Sequence, residues 1–304
     1  MIDDEQVAVA RVEYRVARAG PSARERPVQT ALRQHPFDLL MELAPEHVKL
    51  DCAALHLARD AHPYVNVPAY LQQLDDLADE VATRRPGLDA TQRYEALRDV
   101  LVEEHEFSGN ERDYFDPDNS YLNCVLDRRV GIPISLSVLW LEVARRLKWP
   151  VAGVGFPGHF LVRFDDPERL VMADPFSGGR SLALDDCRKL LREHLGPEVS
   201  LRPEHLAPLD TRGILVRTLR NLRGIYLSTT NWPRLASVLH RLVAIEPDNG
   251  EHLYELAALH ARLGDMRRAY AHLAVYLERL PDGDQSRVIR ESMTRLEAAI
   301  SALN

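Results

Sequence analysis

His159 and Asp174 are the residues whose types and spacing in this chain most directly allow chemistry. A carboxylate beside an imidazole fixes its tautomer and lets it act as a base toward a thiol or hydroxyl. A cysteine serving such a base gains reactivity at a helix N-terminus, where the macrodipole and an imidazolium favour thiolate. The helix preceding this pair is read from apolar positions at Ile134, Val138, Leu141 and Ala144–Leu147. It begins at Gly131-Ile-Pro133, where proline is a comfortable first helical residue because its missing N–H has no partner to lose. Pro133 carries no nucleophilic atom. After the helix come short β-rich runs at Val151–Phe156, His159–Phe164 and Leu170–Asp174, broken by Gly, Pro and acidic turns. His159 is expected to open one strand and Asp174 to close the next, with the two side chains in contact.

A helix followed by strands bearing His and then Asp resembles the layout of papain-type cysteine enzymes. Five segments carry a closer resemblance: Phe107-Ser-Gly-Asn110, Asn119-Ser-Tyr-Leu-Asn123, Arg128-Arg-Val-Gly-Ile-Pro-Ile-Ser-Leu136, Pro157-Gly-His-Phe-Leu161 and Asp174-Pro-Phe176. In this order they resemble the transglutaminase-like superfamily, and within it the bacterial SirB-type proteins with tetratricopeptide-like repeats at the C-terminus. The resemblance spans roughly residues 36–280 and implies an α+β fold: a transglutaminase-like (papain-like) core with an N-terminal helical region, then an all-α repeat region. Active members would show Gly-x-Cys at the helix start. Counting back from Leu147-Lys148 places that Cys at Pro133, while the family His maps to His159 and its Asp to Asp174. The resemblance therefore implies a catalytic scaffold without its nucleophile.

Two residues could replace it. Ser135 lies two residues into the helix, about 200° round from Pro133, and points elsewhere unless the helix start shifts. Cys124 precedes the helix by roughly two turns and reaches His159 only if the Arg128–Gly131 segment folds back. Its simpler reading is a small buried apolar residue on a stripe with Leu122 and Val125. Asn119, Asn123, Arg128 and Arg129, together with Pro133 and Ser135, are candidates to line the cleft. Turn-forming and capping roles explain the asparagines equally, and Arg128-Arg129 either clamps an anion or pairs with carboxylates such as Asp127. Asp113, Asp116 and Asp118 lack the glycine and glutamate of a calcium loop and read as turn chemistry.

Hydrophobic residues at 45% and charged residues at 28% describe an ordinary globular chain. The net charge of −8 argues against non-specific nucleic-acid binding. Cys52, Cys124 and Cys187 are far apart, with neither disulfide-framework nor metal spacing. No phosphate-cradling glycine loop or dinucleotide fingerprint occurs, so neither cofactor nor metal is expected. The acidic N-terminus lacks the apolar run of a signal peptide, and no stretch is long and apolar enough for a membrane span. The expected location is cytoplasmic.

Residues 1–35, rich in Ala, Arg and Pro, read as a flexible arm. Apolar stripes through Cys52–Ala61, Tyr70–Val81 and Tyr94–Leu101 predict helices that pack on the core and complete a unit over 36–195. The Pro-rich segment 196–212 reads as a linker. Over 213–304, Pro247-Asp248 and Pro281-Asp282 lie 34 residues apart, the tetratricopeptide period. On that offset Leu219 pairs with Leu253, Leu222 with Leu256, Ile225 with Leu259 and Leu239 with Leu273, and Asn231 and Asp265 share the inter-helix turn. Two such units fall short of the usual stability minimum of about three, so they are expected to lean on the core and on a capping helix at Ser286–Ala302. The expected function is protein or peptide binding through a repeat groove and the core cleft. The alternative is a cysteine-dependent hydrolase or acyltransferase using His159, Asp174 and Cys124.

Overall fold

The computed structural model describes residues 35–84, 89–166, 170–279 and 283–302. The arm expected over 1–35 lies outside these, His35 excepted, as does Pro281-Asp282.

Four helices open the described chain: α1 (Pro36–Met41), α2 (Leu50–Ala58), α3 (Val67–Thr83) and α4 (Ala90–Arg98), the last running on into a wider turn at Asp99–Glu104. The stripes expected from sequence face inward, with Leu55, Leu74, Val81 and Leu97 fully buried. A short parallel pair, β1 (Ser108–Gly109) with β2 (Val130–Gly131), brackets α5 (Leu122–Arg128). It leads into the central helix α6 (Pro133–Arg146), on which every residue from Pro133 to Ala144 is buried. A helix buried on all sides belongs to a core. Helix α6 is packed by α3, by the sheet and by the first repeat helix.

The sheet has five antiparallel strands, β3 (Val151–Val154), β4 (Leu161–Phe164), β5 (Val171–Asp174), β6 (Arg180–Leu182) and β7 (Pro208–Leu209), in the order β6-β5-β4-β3-β7. The register sets Val162 opposite Ala173 and Asp174 opposite Arg180. Helix α7 (Leu184–Leu195) follows β6. Strand β7 falls inside the segment expected as a linker, where its proline is tolerated because the strand forms the sheet edge.

Five helices complete the chain: α8 (Thr211–Ser228), α9 (Trp232–Ile245), α10 (Gly250–Arg262), α11 (Met266–Arg279) and α12 (Asp284–Ala302). The 34-residue pairing holds in space, since Leu219, Leu253, Leu222, Leu256, Ile225, Leu259, Leu239 and Leu273 are all buried. Asn231 accepts from the Arg234 amide and Asp265 from the Arg268 amide, the side-chain caps that begin α9 and α11. The repeats rest on the core. Arg241 bonds both Asp60 oxygens at 2.9 and 3.1 Å and also pairs with Asp38, while the Tyr121 and Tyr226 hydroxyls meet at 2.8 Å. No described helix is long and apolar enough to cross a membrane.

Helix α6 also buries charge. Glu142 and Asp51 are each 2% exposed. Arg145 reaches Glu142 at 2.8 Å and Asp51 at 2.9 Å, and Arg146 reaches the same two at 3.2 and 2.9 Å. Burial, then the neighbouring Asp51, pushes the Glu142 carboxyl up to about 7. A carboxyl raised on folding takes up a proton as the chain folds. Its contribution to stability is present below the ordinary value of 4.5 and lost as pH rises through about 7. Asp51 is shifted the other way and acts below this window. We predict that Glu142→Gln flattens the slope of stability against pH between about 4.5 and 7. Urea unfolding across that range measures it, and parallel wild-type and variant curves would contradict the assignment.

Candidate functional site

Backbone geometry places His159 in the turn between β3 and β4. Its amide donates to the Phe156 carbonyl at 3.0 Å, closing a turn. Gly158 sits in this turn at φ +71°, and a Cβ there would lie 2.6 Å from the His194 ring. The strand expected to open at His159 begins instead at Leu161, because this turn takes His159 out of the extended path. Arg217, on α8, fixes the turn from outside. Its Nη2 donates to the carbonyls of Phe156 and His159, both at 2.6 Å.

Asp174 ends β5, one strand away, at 1% exposure. His159 Nε2 lies 2.9 Å from Asp174 Oδ1. The same oxygen accepts from the amides of Phe176 and Ser177, each at 3.2 Å. Burial alone would raise the Asp174 carboxyl, but the His159 hydrogen bond and charge, with the Ser177 contacts, bring it below its usual range. With Nε2–H donated to Asp174, Nδ1 is the ring nitrogen not engaged by the carboxylate. The Phe176 ring meets His159 edge-on with centroids 6.1 Å apart, and the His194 ring lies nearly parallel at 6.1 Å. The expected contact is thus present, in a pocket of aromatic rings.

The first turn of α6 carries Pro133 and Ser135. Pro133 is buried as the first residue of α6. Ser135 is committed to the turn: its hydroxyl accepts from the Ile132 amide at 3.0 Å and donates to the Asn119 carbonyl at 2.5 Å. Asn119 is buried and clamps its own loop, with Nδ2 on the Asp113 carbonyl at 2.7 Å and Oδ1 accepting from Asn110. Asn123 reaches the Cys124 sulfur at 3.4 Å. Arg128 pairs with Asp116 at 2.8 Å and lies 3.8 Å from Asp118, while Asp127 accepts instead from Tyr70. Arg129 ends α5 in the left-handed region at φ 57°.

Cys124 meets a different imidazole. Its sulfur lies 3.3 Å from Nε2 of His62, and that same nitrogen is 2.9 Å from Asp118. Burial first, then the Asp118 carboxylate, pushes the thiol up to about 12. His62, His194 and Arg217 escaped the sequence reading because they come from elements far away along the chain and belong to no local pattern. A thiol, an imidazole and a carboxylate that all converge on one nitrogen do not form a relay, which needs both ring nitrogens.

The comparisons agree with this architecture. A model of the transglutaminase-like superfamily matches residues 68–220 and a tetratricopeptide repeat model matches residues 222–294. The chain belongs to the transglutaminase-like superfamily, in a form that joins the core to tetratricopeptide repeats. A UPF0162 protein of Xylella fastidiosa is 37% identical over 270 residues, covering 86% of this chain and 94% of that protein. Protein SirB1 of Salmonella typhimurium is 24% identical over 257 residues, covering 84% and 91%. The chain is a member of this UPF0162/SirB1 family. It is also similar to F-box only protein 21 of Mus musculus, at 30% identity over 243 residues, 76% of this chain and 35% of that protein. No solved structure matches the chain.

Two outcomes test this geometry. Asp174→Ala strands the His159 N–H and two backbone amides, and should lower unfolding free energy by about 3 kcal/mol in denaturant titration. Cys124 should react with iodoacetamide at pH 8 at least about tenfold more slowly than a free thiol, because so little of it is thiolate; labelling at the free-thiol rate would contradict the surroundings described for it.

Proposed function

We propose that this protein is a non-catalytic transglutaminase-like scaffold whose tetratricopeptide repeats bind a protein or peptide partner. One observation carries the reading: the helix start that would hold the nucleophile holds buried Pro133, and the hydroxyl of Ser135 in the same turn is spent on capping it. An oriented His–Asp pair without a nucleophile supplies rigidity, not acyl transfer. The repeats supply the binding surface, since stacked helix pairs leave an extended face for partners. The repeat helices carry exposed apolar side chains, among them Tyr254 at 47% and Val275 at 38%. Charge disfavours nucleic acid as partner.

The hydrolase reading, with Cys124 as an atypical nucleophile for His159, finds less support, because the imidazole beside that sulfur is His62. The test has two arms. Fluorogenic amide and ester substrates should turn over no faster with the wild-type chain than with His159→Ala, and turnover lost in that variant would sink the scaffold reading. Partner proteins retained from a cell extract should fall at least about tenfold for Tyr254→Glu, the effect expected of a buried aromatic anchor, with circular dichroism unchanged. Equal retention would remove the repeat face from the reading.

A further inference from the structure

Three histidines outside this site converge from successive repeat helices: His240 on α9, His260 on α10 and His272 on α11. One ring nitrogen of each lies within 4.8 Å of the other two. Ring centroids are separated by 5.8 Å for His240–His260, 5.6 Å for His240–His272 and 5.3 Å for His260–His272. Imidazoles bound to one tetrahedral zinc place their nitrogens about 2.0–2.1 Å from the metal, so their centroids fall about 5.2 Å apart. The observed triangle is only slightly wider than that. His260 is 5% exposed, yet its Nε2 has no hydrogen-bonding partner. A buried polar atom left unsatisfied is rare in a folded protein, and a metal ion would satisfy it.

The other convergent cluster, His62, Asp118 and Cys124, differs in this respect. Its members already bond one another, and Arg128 approaches Asp118 at 3.8 Å. The histidine cluster has no such internal partner among its rings.

We propose that His240, His260 and His272 form a transition-metal site that takes Zn2+, or a neighbouring divalent ion that prefers imidazole, with a fourth position left to water or to a partner's side chain. Three nitrogen donors with one open position form a recognised zinc set. The site pins three consecutive helices at one point, so occupancy stabilises the repeat region in proportion to free metal.

The experiment uses the full chain without a histidine tag, stripped of metal and titrated with Zn2+ by calorimetry and with Co2+ by visible absorption. One equivalent should bind, Co2+ should develop the strong visible bands of four-coordinate geometry, and Zn2+ should raise the melting temperature. His240→Gln and His272→Gln, both at partly exposed positions, should each weaken binding at least about tenfold while keeping the helical circular dichroism signal. Absence of binding at micromolar metal overturns the proposal. So does binding unaltered in both variants, and binding lost instead in Cys124→Ser assigns the metal to the other cluster and equally overturns it.

Discussion

The closure of the first turn of α6 governs the architecture around it. Pro133 fixes the backbone at the first helical position without an unpaired N–H. Ser135 then ties this turn to Ile132 on one side and to the Asn119 carbonyl on the other. Through Asn119 the link extends to the carbonyls of Asp113 and Tyr114, so the loop before α5 and the start of α6 form one hydrogen-bonded block. Even Gly131 belongs to it, because a Cβ there would lie 2.7 Å from the Ser135 oxygen. This first turn is satisfied in its hydrogen bonds and buried, from Pro133 through Ser135.

The His159–Asp174 pair is tied into the surrounding backbone. Asp174 gathers one imidazole and two backbone amides on a single oxygen, and His159 is held in turn through its carbonyl by Arg217. Arg217 belongs to α8, the helix that begins the repeats, so the turn carrying His159 is braced by the repeat region. The Arg241 pairs with Asp60 and Asp38 and the Tyr121–Tyr226 hydroxyl contact add further ties across the same boundary. Two repeat units with few neighbours of their own thus borrow the core as a third.

The sequence reveals what is periodic or local. Helices at Val67–Thr83 and Pro133–Arg146 follow from apolar spacing, and the repeat pairs follow from a 34-residue offset whose members are all buried. Asp174 and His159 were legible because both sit next to turn-forming glycine or proline on neighbouring β-rich runs. The strand limits were not, since the Phe156–His159 turn depends on Gly158 adopting a positive φ against the His194 ring, a contact made only in three dimensions. Nor was the neighbour of Cys124 legible. His62 arrives from the turn that follows α2, and the pairing depends on how that helix packs on α5. Strand β7 was hidden for a different reason: two residues including a proline carry no alternation to read.

The shared helix α8 has a consequence for how the molecule responds to stress. Residue 220 ends one family match and residue 222 begins the other, yet both lie in the interior of a single helix spanning Thr211–Ser228. One continuous apolar cluster runs from Phe37 to Leu259 across it. What looks like a junction between two modules is therefore a common beam. Core and first repeat, packed on one helix and one apolar cluster, are expected to unfold together.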